Sequence, residues 1–116
     1  MSAKHEPGPW TLSEPRSYGF DLLAPGVSGP GRGGWFMELH SGERADDPPA
    51  FREAFDANAR LIAAAPELLE ILEVAAPTIW VAAELAADNG ELENENSRRR
   101  IYDRMVAALA KATGAA

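Results

Sequence analysis

Cysteine is absent from the 116 residues, which removes disulfide frameworks, thiolate metal sites and cysteine nucleophiles together. Histidine is scarce: His5 and His40 stand alone, without the spacing of a metal-ligating pair. No serine sits in a nucleophile-elbow motif. Long apolar runs are also missing. The longest, from Ile71 to Ala83, is interrupted by Glu73 and Pro77 and is too short to span a bilayer. The start, MSAKHEPGPW, places no apolar stretch after its lysine, so no signal peptide is expected. Basic residues are outnumbered, with 11 Lys and Arg against 18 Asp and Glu and a net charge of −7. Both halves share the deficit, four basic against seven acidic residues over 1–50 and seven against eleven over 51–116. Holding nucleic acid requires neutralised phosphates, so direct nucleic-acid binding is not expected. These absences together point to a non-enzymatic cytoplasmic protein with no cofactor, no metal and no membrane contact.

What is present divides near residue 50 into two compositional regimes. Eight of the ten glycines and seven of the nine prolines precede Phe51, and most alanines follow it. Turns and short strands are expected before the division and helices after it. Tyr18 to Leu23 and Trp35 to His40 read as strands between turn residues, with a third strand over Trp10 to Ser13. Alternation puts Trp35, Met37 and Leu39 on one face and Phe36, Glu38 and His40 on the other. The Gly26–Gly34 stretch, GVSGPGRGG, reads as a loop.

Three helices are expected in the second half. The first starts at Asp46-Asp47-Pro48 and ends near Ala65. The second starts at Pro66 and ends near Asp88, with a kink at Pro77 and a stop at Asn89-Gly90. Residues 91–96, ELENEN, read as a polar loop, and the last helix runs from about Ser97 to Ala112. Helical spacing aligns Phe51, Phe55, Ile62 and Ala65 in the first, Leu68, Leu72, Ala75 and Ile79 with Ala82 or Ala83 in the second, and Ile101, Met105, Ala108, Leu109 and Ala112 in the last. Glu67, Glu70, Glu73 and Glu84 fall on a solvated face. The fold class is therefore α+β, a small antiparallel sheet followed by two or three packed helices. It forms one domain over 1–116, strand-rich over 1–45 and helical over 46–116. Alanine-rich helices beside a small sheet leave apolar surface uncovered, so a homo-oligomer is expected.

Three segments carry a family resemblance. His5-Glu6-Pro7-Gly8-Pro9-Trp10 resembles an H-T-P-G-P-W opening, with Glu6 in place of the threonine. Ala57 to Leu69, ANARLIAAAPELL, is similar to a central helix junction that includes Pro66. Ala110 to Gly114, AKATG, is similar to a common ending. All three occur in short phage and prophage proteins of mostly unknown function. The resemblance implies a phage accessory protein working in the cytoplasm of a bacterial host, and it implies no reaction.

The candidate site residues are few. Asn58 falls on the stripe of Phe51, Phe55 and Ile62, and a buried amide needs a partner. The unpaired carbonyls of the His5–Trp10 turn supply one, and ligand binding is the other reading. Arg60 faces the opposite side of that helix, toward solvent or an anion. Trp10, Trp35 and Trp80 read first as core. Trp35 borders the glycine loop, where Arg32 sits in a segment whose N–H groups could fold over a phosphate. The loop lacks the lysine and Ser/Thr of a nucleotide-hydrolase motif. Arg98-Arg99-Arg100 with Arg104 is the single basic cluster. At a helix start it opposes the dipole, and Glu91, Glu93 and Glu95 are the neutralising neighbours.

Two function classes follow. One is an anti-defence sponge that captures a host nucleotide immune signal, an anionic nucleotide-like molecule held by Arg32, Trp35, Arg60 and Arg98. The other is a protein-binding inhibitor that covers a host defence or regulatory protein with its acidic helical surface.

Overall fold

The computed structural model describes residues 5–25 and 34–115; Arg32 and the rest of the glycine loop before Gly34 lie outside the described residues. The architecture is α+β, as the composition indicates. Three strands, β1 (Thr11–Leu12), β2 (Gly19–Leu23) and β3 (Trp35–His40), precede three helices, α1 (Pro49–Ala63), α2 (Ala65–Asp88) and α3 (Leu92–Thr113). The strands form one antiparallel sheet in the order β1-β2-β3. Contacts group the chain into two compact units, one from His5 to Glu67 and one from Leu68 onward.

In the first unit, β2 pairs with β3 from Gly19↔His40 to Leu22↔Met37, and the register then shifts so that Leu23 faces Trp35. Phe36 is the extra residue of that bulge. Its ring stands 5.2 Å from that of Trp10. Leu22 is fully buried, and Ala24 and Ala59 are buried in the same unit. Phe20 of β2 stacks on Phe55 of α1 at 5.9 Å, which fixes the helix against the sheet. Gly19 makes that approach possible. It has φ +147°, and a Cβ there would stand 1.9 Å from the Leu39 carbonyl oxygen and 2.9 Å from Phe55. No other residue type fits.

Helix α1 opens on Pro48-Pro49 and closes at Ala64, whose N–H donates to the Arg60 carbonyl at 3.1 Å. Its buried line differs from the expected one. Ala59 is buried, while Asn58 is exposed. The stripe drawn through Phe51 and Ile62 was rotated by about one residue: both are over a third exposed. Phe55 belongs to both stripes, and Ala59 four residues on completes the true one.

In the second unit, α2 and α3 form a helical hairpin. Helix α2 ends in a Schellman arrangement: Gly90, at φ +71°, donates to Ala87, and Glu91 N–H donates to Ala86 at 2.8 Å. Helix α3 begins at Leu92 rather than near Ser97, so the expected polar loop over 91–96 is largely helix. Glu93 and Glu95 lie in its first turn, where carboxylates suit the positive end of the dipole. The arginine run therefore sits past the first turn, and the dipole penalty expected of it does not arise. Gly114, at φ +76°, ends α3. Ala76, Ala83 and Ala86 are buried on α2, and Trp80 packs on Tyr102 of α3 at 5.1 Å. The inward lines are therefore Leu72, Ala76, Ile79, Ala83 and Ala86 on α2 and Arg98, Tyr102, Met105 and Leu109 on α3.

Candidate functional site

The densest polar cluster belongs to the sheet unit and centres on Asp21, the one buried charged residue among those described. The Tyr18 hydroxyl donates to its carboxylate, and Arg16 Nε stands 3.4 Å from the other oxygen. The Asp21 N–H donates to Ser13 Oγ at 2.8 Å, and Ser13 N–H donates to the Asp21 carbonyl at 2.9 Å. The Tyr18 ring stacks on His40 at 4.6 Å, and His40 pairs with Glu38 at 2.9 Å. The hydrogen bond to Asp21, reinforced by desolvation and the Asp21 charge, pushes the Tyr18 phenol up to about 12. A phenol held protonated this firmly is a donor and not a base at neutral pH. The cluster clamps β1 to β2. An aspartate inside the apolar strand GFDLL, with a tyrosine three residues before it, is the sequence signal that could have revealed it.

The His5–Trp10 turn closes on itself and on the helix junction. Trp10 Nε1 donates to the Glu6 carbonyl at 3.0 Å, and His5 Nδ1 donates to the same oxygen at 2.7 Å. The two rings meet edge to face at 5.9 Å. Gly8 lies against Pro66, so a Cβ on the glycine would stand 2.7 Å from the proline Cβ. Pro7 and Pro9 are exposed. Two of the three resemblance segments thus meet, and they do so without Asn58, whose expected role as the buried amide pinning this turn is corrected by its exposure.

The residues proposed for a nucleotide do not gather in one unit. Trp35 is half-buried at the start of β3, beside the hydrogen bond from Ala24 N–H to the Gly34 carbonyl at 3.0 Å. Arg60 is exposed on α1. Arg98 belongs to the helical unit, where its Nη1 donates to the Ala82 carbonyl at 2.9 Å. Its neighbour Arg99 pairs with Glu95 at 2.8 Å and lies 4.8 Å over the Trp80 ring; of the three upstream glutamates Glu95 takes the neutralising role, and Glu91 instead accepts from the Asn94 amide at 2.9 Å.

The hairpin carries a surface of a different kind. Helix α2 has no Lys or Arg, and its Glu70, Glu73, Glu84 and Asp88 are exposed. Among the described residues none of the four has an ion-pair partner. Beside this acidic line, Ile71, Val74, Thr78, Val81 and Leu85 recur at steps of three and four residues. The four aliphatic members are 56–70% exposed, a second stripe on the side of α2 away from its buried alanines. On α3 a shallow groove is lined by Ile101, Arg104, Met105 and Ala108, with Leu72 of α2 on its other side. No group of three His, Cys, Asp or Glu among the described residues is placed to hold a metal, and no helix among them is long and apolar enough to cross a membrane.

The family model described as Salmonella phage P22 protein Y8K6 matches residues 1–116, the whole chain. No curated protein and no solved structure matches the sequence.

Proposed function

The chain belongs to the Salmonella phage P22 protein Y8K6 family, and from that premise we propose that it is a non-enzymatic phage accessory protein that acts by binding a basic surface of a host defence or regulatory protein in the bacterial cytoplasm. The observation that carries this reading is the exposed, unpaired carboxylate line Glu70, Glu73, Glu84 and Asp88 on a helix with no cation. Like charges held on one rigid helix repel one another and cost stability. Opposite charge on a partner relieves that repulsion and steers encounter. The Coulomb contribution is screened by salt, so the interaction weakens with ionic strength. The test is affinity purification of the tagged chain from host cells, with Glu73→Lys/Glu84→Lys beside the wild type. A partner retained by the wild type at low salt and lost by the variant supports the reading. Identical protein content in both samples refutes it.

A second reading, capture of an anionic nucleotide-like signal as an anti-defence sponge, draws on Trp35 and Arg60, a half-buried aromatic and an exposed guanidinium within the same unit. Stacking on a base contributes roughly 1–3 kcal/mol, and the guanidinium offers a charge-assisted contact to phosphate. Calorimetry with cyclic dinucleotides, cyclic oligonucleotides and cyclic ADP-ribose isomers on wild type and Trp35→Ala tests it. Heat abolished by the substitution supports capture, and no heat with any member removes it.

A further inference from the structure

We infer that a second copy of this chain docks on the apolar face of the α2–α3 hairpin, forming a two-fold bundle in which α2 of each copy runs antiparallel to α3 of the other. The face is built from Leu68, Ile71, Val74, Val81 and Leu85 on α2 and Ile101 on α3, all 45–70% exposed. Small residues between them, Ala75, Thr78, Ala82 and Ala108, let a facing helix approach closely. These side chains present on the order of 500 Å² per copy, so two copies cover about 1,000 Å², the lower bound of a specific interface.

Charge selects the pairing. The margin of the face along α2 is acidic, with Glu70 exposed and no cation on the helix. From Arg100 to Lys111 the margin along α3 is basic, with Arg104 lining the groove and Arg100 and Lys111 exposed, and Glu93 in the first turn is the acidic member of the same line. A two-fold axis parallel to the helices sets the acidic margin of each α2 against the basic margin of the other α3, twice over, and makes neighbouring helices antiparallel throughout. The perpendicular two-fold sets α2 against α2 and brings acidic margins together. Isologous contact makes any such pairing occur twice, so the first arrangement doubles an attraction and the second doubles a repulsion. Level matching agrees. Leu72 lies at the groove with Met105 and Ala108, so Glu70 of one copy stands near the level of Arg104 of the other. Glu70 passes from the unpaired acidic line to the dimer seam, while Glu73 and Glu84, the two residues on which the host-binding test rests, stay outside this contact.

Sedimentation equilibrium on the full chain tests the inference, with circular dichroism reporting that each variant keeps its helices. The wild type is expected to be a dimer at micromolar concentration. Ile71→Glu/Ile101→Glu is expected to be a folded monomer. Glu70→Arg and Arg104→Glu alone should each raise the dimer dissociation constant by about tenfold, and the double variant should return it toward the wild-type value. A monomeric wild type overturns the docking. A dimer strengthened by Glu70→Arg overturns the α2–α3 pairing in favour of α2 against α2.

Discussion

Gly8 and Pro66 are in contact: a methyl group on the glycine would sit 2.7 Å from the proline Cβ and 3.2 Å from its Cγ. This is where the proline-rich opening of the chain meets the α1–α2 junction, and neither partner can yield, because Pro66 is buried and cyclic. Gly8→Ala should destabilise the protein by about 1–3 kcal/mol, the usual cost of overpacking a filled site. Pro66→Gly, which removes the opposing Cβ together with the ring, should recover part of that loss in the double variant. Urea denaturation of the two single variants and the double variant measures the coupling, and additive losses would mean that the two residues do not touch.

Gly19 should be less forgiving than Gly42. Both have positive φ, but a Cβ at Gly42 meets nothing within 4 Å, whereas at Gly19 it would overlap the Leu39 carbonyl. Gly42→Ala should cost roughly 1 kcal/mol of backbone strain. Gly19→Ala breaks the β2–β3 ladder and should cost several-fold more. Thermal melts compare them, and equal melting temperatures would contradict the register.

The Tyr18–Asp21 bond gives stability a pH signature. A phenol whose folded value is raised from 10.0 to about 12 contributes stability that is fully present below pH 10 and is lost as pH rises through the folded value. In a Tyr102→Phe background, the phenolate absorbance of Tyr18 should appear only near pH 12, and Asp21→Asn should draw it back toward the ordinary range. Ionisation near pH 10 in the unsubstituted cluster would show that the bond does not form.

The helix hairpin depends on alanine where the helices meet. Ala83 is fully buried, so Ala83→Leu should destabilise the hairpin by about 1–3 kcal/mol. Asn58→Ala should change stability by less than about 0.5 kcal/mol, as for an ordinary surface position. A loss above 1 kcal/mol at Asn58, measured by chemical denaturation, would restore it to the buried face of α1.

The sequence made the elements legible more readily than their rotations. Proline and glycine fixed most boundaries: Pro66 near the start of α2, Gly90 and Gly114 as left-handed stops, Ser41-Gly42 after β3. Those signals act on the backbone itself and need no tertiary context. Ala59 against Asn58 shows where legibility fails. An alanine is equally at home on either face of a helix, so in ANARLIAAAPELL the apolar pattern leaves the rotation open and one aromatic, Phe55, fits two stripes. The early start of α3 was hidden because ELENEN reads as polar loop, while its glutamates favour a helix N-terminus once Glu91 has turned the chain. The Asp21 clamp was legible only in its centre, an aspartate within the apolar GFDLL. Its partners Tyr18, Arg16 and Ser13 converge only after β1 and β2 pair. Of the proposed ligand residues, Trp35 and Arg60 share a unit, Arg98 is engaged by the Ala82 carbonyl, and the acidic face of α2 was legible from its spacing alone.

Action through the acidic face of α2 is decided by native mass spectrometry of the chain purified from bacterial host cells. A defined complex with a basic host protein is expected, one that dissociates as salt is raised and is missing from the Glu73→Lys/Glu84→Lys variant. A chain that carries no protein partner and releases an ultraviolet-absorbing small molecule on heating would contradict it.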